Sequence, residues 1–277
     1  MAGMFRLTLR INPYRRWLAQ TASFCQPLLL CIAIVYLRSN MTASRSSFRL
    51  SGHSMTFDLR RHALRGDLAD VVLAGQTFAP HYAETVLRKC APPFAAMYNK
   101  PDGDQVSELL SGEAFGLLDI TGGWAWGYSM HDHYVGYIRA DALITPSGET
   151  PTLTAVNPVE AARQFIDMPY VWGGRGGAGI DCSGLIQRGL AAAGVASPRD
   201  SDMQQAETGT HLPDNEPLMR GDLVFFPGHV GMMIDDANLL HATRHHNKTV
   251  IEPLITVVAR VAVEHPIAII ARKRLSA

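Results

Sequence analysis

The tightest constraint in the chain is Asp181-Cys182-Ser183-Gly184 and the pattern that follows it. Cys182, Leu185, Ile186, Leu190 and Ala193 fall at i, i+3, i+4, i+8 and i+11, one apolar stripe of a helix that Gly194 ends. A helix starting there carries a thiol in its first turn, where unpaired N–H groups and the positive end of the macrodipole favour a thiolate. Ser183 and Gly184 leave room for an incoming carbonyl, and the Cys182 N–H can meet the oxyanion that develops on it. Upstream, Gly173-Gly174, Gly176-Gly177 and Gly179 form a loop that lets backbone approach a substrate closely. Neither strand–GxGxxG–helix nor GK[ST] is present, so the loop is no phosphate cradle.

A thiol nucleophile needs a base from elsewhere in the chain. Gly228-His229-Val230-Gly231 puts a histidine at the head of an apolar strand, after a Pro227-Gly228 turn. His241 lies on the next strand, in Leu239-Leu240-His241-Ala242-Thr243. If those strands form a hairpin, His241 can reach the far ring nitrogen of His229 and fix its tautomer. His245-His246 and the His131/His133 pair lack metal-ligand spacing and HExxH is absent, so they are expected in solvated loops, with no metal and no cofactor.

Around this core the chain is expected to be α+β. Asn157 caps a helix with Pro158 at N1 and Glu160 closing a capping box; Val159, Ala162, Phe165 and Ile166 are its apolar face, and Pro169 stops it. After the Cys182 helix come strands at Asp222–Phe226, His229–Ile234, Leu239–Thr243 and Ile267–Ala271. Residues 91–145 show short strands at 105–109, 114–118, 124–128 and 134–138, the spacing of a small barrel, with Trp124 and Trp126 expected as its core stripe. Residues 146–157 are a linker and 158–277 the thiol-bearing domain. Residues 55–90 form a lead-in whose Arg60–Gly75 stretch is expected to be partly helical.

Net charge is zero, which argues against nucleic acid as a partner, but the balance is uneven. Residues 1–54 hold seven arginines and no Asp, Glu or Lys, and include the apolar run 27–37. That run is short against the ~20 residues of a membrane helix. A membrane or export segment, a transit-like leader and a misassigned start compete; ordinary composition from Met55 onward favours the last, with no chemistry expected before it. Membrane contact is expected only if that run is a genuine segment. Four cysteines without CxxC spacing point to a reducing compartment, hence the cytoplasm, or to an anchored or exported protein if residues 1–54 are genuine.

Tyr170-x-Trp172-Gly173-Gly174, Asp181-Cys182-Ser183-Gly184-Leu185, Gly221-Asp222-Leu223-Val224-Phe225-Phe226, Gly228-His229-Val230-Gly231 and Leu240-His241-Ala242 occur in the order in which the NlpC/p60 cysteine peptidases carry them. The resemblance covers roughly residues 155–275 and implies a papain-like α+β domain that cleaves murein stem peptides or muropeptides. It implies Cys182 as nucleophile, His229 as base and His241 as the residue that orients it. Tyr170 resembles the tyrosine bordering the oxyanion site, and Asp200 and Ser201 of Arg199-Asp200-Ser201-Asp202 are implied to line the cleft with Asp181 and Ser183. The preceding segment resembles a bacterial SH3-like domain of the dipeptidyl-peptidase VI type. That subgroup cuts between γ-D-glutamate and a diamino acid when the N-terminal L-alanine is free, and its SH3-like domain supplies an acidic group for the alanine ammonium. Glu113 and Tyr134 match those positions. Only one such domain is legible here, since residues 55–90 are too few for another. An acyltransferase or amidase on the same thiol scaffold, and a wall-binding protein without catalysis, are the rival readings.

Overall fold

The computed structural model describes residues 55–146 and 156–275. The Arg-rich segment before Met55 and most of the linker lie outside the described residues. No helix among the described residues is long and apolar enough to cross a membrane.

The lead-in is not helical. Strand β1 (Leu68–Asp70) pairs in parallel with β2 (His81–Ala83), and the helical part of the connection between them is a single 3-10 turn, Val71–Leu73. The buried Asp70 side chain is the reason: it accepts from the Val72 N–H and from Thr85 Oγ1, offering the backbone a partner that a helix would not.

Strands β3 (Val86–Cys90), β4 (Phe94–Tyr98), β5 (Gln105–Leu110), β6 (Ala114–Thr121), β7 (Trp124–Ser129), β8 (Val135–Arg139) and β9 (Leu143–Ile144) form one antiparallel sheet in the order β5-β4-β8-β7-β6-β3-β9. The sheet thus begins upstream of residue 91. Met97, Leu109, Phe115, Ala125 and Ile138 meet at its core. On β7 the alternation runs opposite to expectation: Ala125 faces the core, and Trp124 and Trp126 lie on the outer face. Both rings are still buried because Arg139 and Arg65 cover them, their guanidinium carbons 5.0 and 4.5 Å from the ring centroids. Gly127 is required after Trp126, since a Cβ there would stand 1.9 Å from the Gly116 carbonyl oxygen.

The second half is built on helix α1 (Pro158–Arg163), helix α2 (Cys182–Ala192), helix α3 (Ser201–Glu207) and helix α4 (Leu254–Val261). Its six-stranded antiparallel sheet comprises β10 (Thr210–His211), β11 (Leu223–Phe226), β12 (His229–Met233), β13 (Asn238–Thr243), β14 (Lys248–Pro253) and β15 (Ala271–Arg274), ordered β10-β15-β11-β12-β13-β14. Period-2 alternation sorts the two faces. Leu223, Phe225, Val230 and Met232 pack with α2, while Val224, Phe226, Met233 and Leu239 pack with α4. The last strand runs later than Ile267–Ala271, because Ala271–Lys273 is the segment in register with β11. Asn157 caps α1 through the Val159 and Glu160 N–H groups, but Glu160 turns outward to Arg220 and closes no capping box. Gly194, at φ +76°, ends α2.

Two buried arginines join the halves. Arg175 donates from Nη1 to Glu113 Oε2 at 2.7 Å and from Nη2 to Glu113 Oε1 at 3.1 Å, and its Nη1 also meets the Glu108 carbonyl at 2.8 Å. Arg199 reaches Ser107 Oγ at 3.1 Å. Met203 of α3 packs into the core of the barrel sheet, and Asp132 accepts from Gln187 Nε2 of α2. Replacing Arg175 by Met should leave Glu113 without its cation and destabilise the fold by about 3 kcal/mol. Urea denaturation followed by tryptophan fluorescence measures it, and a loss under about 1 kcal/mol would contradict a structural role for this pair.

Candidate active site

Asp181 is the N-cap of α2, and its side chain organises the whole turn. Oδ1 accepts from the Gly184 N–H at 2.7 Å, and Oδ2 accepts from the Gly173 N–H at 2.8 Å. Arg199 clamps both oxygens, Nη1 to Oδ1 at 3.0 Å and Nη2 to Oδ2 at 2.6 Å. Ser183 Oγ donates to Asp181 Oδ1 at 3.3 Å and accepts from Arg199 Nη1 at 3.0 Å. With Asp181 only 5% exposed, neither carboxylate oxygen is open to a ligand. The sequence expectation that Asp181 lines the cleft is therefore corrected: it caps the helix and holds the glycine loop. Ser183, in the same network, belongs to the scaffold as well. Gly184 is needed there because a Cβ would lie 2.3 Å from the Gly174 carbonyl oxygen.

Cys182 follows as the first residue of α2, so no intrahelical carbonyl can accept its N–H. Its thiol packs in the apolar cluster with Val230, beside the start of β12. Burial pushes the thiol up to about 12, and the Asp181 carboxylate adds to the shift, while the Val230 and Ser183 N–H groups act in the opposite direction. The helix start alone suggests a lowered value. The structure reverses this because burial outweighs the N–H groups that face the sulfur, and the N-cap carboxylate sets a negative charge beside it.

His229 opens β12 and His241 lies on β13, with Val250 of β14 directly opposite His241. His229 Nε2 and His241 Nδ1 are 2.8 Å apart, as the hairpin expectation requires. His229 Nδ1 is thereby left for the reacting groups. Among the described residues no hydrogen bond closes between Cys182 Sγ and the His229 ring; in resting sites such contacts tighten when substrate binds. Burial lowers His229 to about 3, aided by His241, and lowers His241 to about 4. Thiol and imidazole thus rest uncharged.

Sequence reasoning missed the next partner. Glu252 of β14 lies across from Leu239, diagonal to His241 on the same face, and its Oε1 is 2.9 Å from His241 Nε2. A carboxylate two positions along the paired strand was the available signal, but only the β13–β14 register turns it towards His241.

The remaining expected residues fall into two groups. Tyr170 stands near Cys182; burial pushes its hydroxyl up to about 12, and Arg244 lies over its ring and that of the exposed Trp172, at 5.7 and 4.9 Å. Tyr134, just before β8, donates to Asp200 Oδ2 at 3.0 Å, and Arg60 Nη1 donates to the same oxygen at 2.9 Å. Burial raises Asp200 in spite of these donors and of Arg199. Ser201 begins α3 directly after it. Glu113 does not join them. Its carboxylate is bound by Arg175 and by the Leu110 N–H, which corrects its expected role as the ammonium acceptor. No group of metal-ligating side chains occurs among the described residues.

The depressed histidines carry a stability signature. Their folded values lie below the ordinary 6.5, so the unfolded chain binds protons first and stability falls as pH drops below 6.5. The urea midpoint should be lower at pH 5.0 than at pH 7.5, a window in which carboxylates scarcely titrate. His241→Gln should flatten the difference; equal midpoints in the parent protein would contradict the buried neutral pair.

Comparison with known proteins finds two matching families. Residues 167–261 match the NlpC/P60 family, and residues 97–143 match the bacterial dipeptidyl-peptidase Sh3 domain. A gamma-D-glutamyl-L-lysine dipeptidyl-peptidase of Bacillus cereus is 35% identical over 39% of this chain and 34% of its own. Dipeptidyl-peptidase 6 of Lysinibacillus sphaericus is 34% identical over 43% of this chain and 45% of its own. The chain therefore spans less than half the length of these curated relatives. A solved NlpC/P60 family protein from Bacillus cereus aligns over 68% of this chain and 62% of its own, at 24% identity and a TM-score of 0.37. The described residues form an α+β fold, and the chain carries an NlpC/P60 domain preceded by a bacterial dipeptidyl-peptidase SH3 domain.

Proposed function

We propose that the protein is a cysteine peptidase that hydrolyses the bond between γ-D-glutamate and a diamino acid in peptidoglycan-derived peptides. The observation that carries this reading is a helix-start thiol together with the hydrogen-bonded His229–His241 dyad, in a chain whose relatives include gamma-D-glutamyl-L-lysine dipeptidyl-peptidases. The chemistry needs no cofactor. The Cys182 proton passes to His229 Nδ1 as the sulfur electron pair attacks the γ-carbonyl carbon. The Cys182 N–H stabilises the resulting oxyanion, with Tyr170 at its border. On collapse the C–N bond breaks and His229 returns the proton to the leaving amine. The thioester is then hydrolysed by water, whose proton His229 takes and gives back to sulfur.

Burial of both partners serves this sequence. A neutral thiol and a neutral imidazole wait in a desolvated pocket, and charge appears only as substrate arrives, next to the Ser183 and Val230 N–H groups. For the free amino terminus we assign Asp200 in place of Glu113. The Asp200 carboxylate is partly desolvated, is held by Tyr134 of the barrel half, and follows the Arg199 clamp directly. A charge-assisted hydrogen bond is strong in such a setting. Ser201 completes this end of the cleft.

Cys182→Ala should abolish release of the diamino acid from L-Ala-γ-D-Glu-diaminopimelate; undiminished turnover would remove the thiol from the reaction. Asp200→Asn should lower kcat/KM for the free peptide by about tenfold, and N-acetylation of the alanine should do the same in the parent enzyme. If acetylated and free peptides react alike, the amine-binding assignment fails. We further place the enzyme in the cytoplasm, acting on muropeptides already released from the wall; the two described cysteines, Cys90 and Cys182, are both free and buried. Cell fractionation that recovered the protein outside the cytoplasm would overturn this placement.

A further inference from the structure

The histidine dyad continues into a carboxylate and then an arginine. His241 Nε2 lies 2.9 Å from Glu252 Oε1, and Arg260 of α4 donates from Nη1 to Oε1 at 2.9 Å and from Nη2 to Oε2. His246 stands further off, its Nε2 3.5 Å from Oε1. The bond to Arg260, and secondarily that to His241, hold the Glu252 carboxyl down to about 2, so it is ionised at any working pH. An ionised carboxylate only accepts hydrogen bonds. His241 must then carry its hydrogen on Nε2, which leaves Nδ1 as a bare acceptor facing His229 Nε2 at 2.8 Å. His229 donates from Nε2 in turn, and its Nδ1 keeps a free lone pair.

We propose that Glu252, held by Arg260, is a positioning residue that sets the tautomers of both imidazoles, so that His229 Nδ1 is free to take the Cys182 proton. The proposal rests on the thiol chemistry above but makes a separate structural claim. Without Glu252 nothing in the dyad distinguishes the two tautomer patterns: both rings donating from Nε2, or both from Nδ1. The second pattern places a hydrogen on His229 Nδ1 and blocks proton transfer. Arg260 matters because its charge keeps the carboxylate ionised and its Nη2 donor anchors Oε2, which leaves Oε1 turned towards His241.

Glu252→Gln tests this with little change of shape. Arg260 Nη2 touches Oε2 alone and holds the amide oxygen there, so the amide NH2 takes the Oε1 place beside His241 Nε2, the Arg260 Nη1 bond to that atom is given up, and the relay reverses. Long-range ¹H–¹⁵N correlation spectra at neutral pH should show Nε2–H for both His229 and His241 in the parent protein, and Nδ1–H for both in Glu252→Gln. The variant should lose kcat by about 100-fold, as expected for a wrong imidazole tautomer, with KM within about twofold. Glu252→Asp, which keeps the acceptor, should recover part of the activity and the parent tautomers. An unchanged kcat in Glu252→Gln, a loss of kcat with unchanged tautomers, or Nδ1–H signals in the parent protein would each overturn the proposal. A parent protein that does not cleave the peptide would instead refute the proposed reaction, and the tautomer spectra would still decide the relay.

Discussion

The buried pair between Asp181 and Arg199 is the interaction on which the rest of the site depends. One carboxylate caps the nucleophile helix, fastens the Gly173 loop and receives Ser183, and one guanidinium neutralises it. A buried ion pair returns little net stability once desolvation is counted. Its value here is geometric. Every donor on Arg199 and both oxygens of Asp181 have directional partners, so the first turn of α2 has a single low-energy arrangement. Arg199 also touches Ser107, and through it the barrel half is set against the nucleophile helix.

The same pair explains the electrostatic state of the thiol. Helix N-termini lower a thiol pKa when their N–H groups are free to face the sulfur. Here burial outweighs the Ser183 and Val230 N–H groups that face the sulfur, and the capping carboxylate adds to the shift. The site compensates across the sheet. His229, His241 and Glu252 run through three neighbouring strands, from an uncharged base at the reacting end to an ionised carboxylate held by Arg260.

The barrel half contributes position more than chemistry. Glu108 and Glu113 are occupied by Arg175 and by N–H groups of the glycine loop, which fixes that loop against the barrel. Tyr134 crosses the boundary to Asp200, and Arg60 of the lead-in reaches the same carboxylate. Asp200 thus belongs to the thiol-bearing half, and its carboxylate is held from the barrel half and the lead-in.

How much of this was legible in the chain depends on the range of the interactions. Cys182 at a helix start, the Asn157 cap, Gly194 as helix stop and the two histidine strands follow from local periodicity and turn chemistry, which neighbouring residues determine on their own. The wrong expectations share a cause. Glu113 and Asp181 were assigned from resemblance to a family's motifs, but their partners, Arg175 and Arg199, sit far along the chain. Glu252 was missed for the same reason, since strand register alone brings it to His241. The sequence by itself determined the α+β class, the thiol and its histidine pair. Only the tertiary structure decided which carboxylates are consumed by arginines, because a charge pair is set by distance in space and leaves no period in the chain.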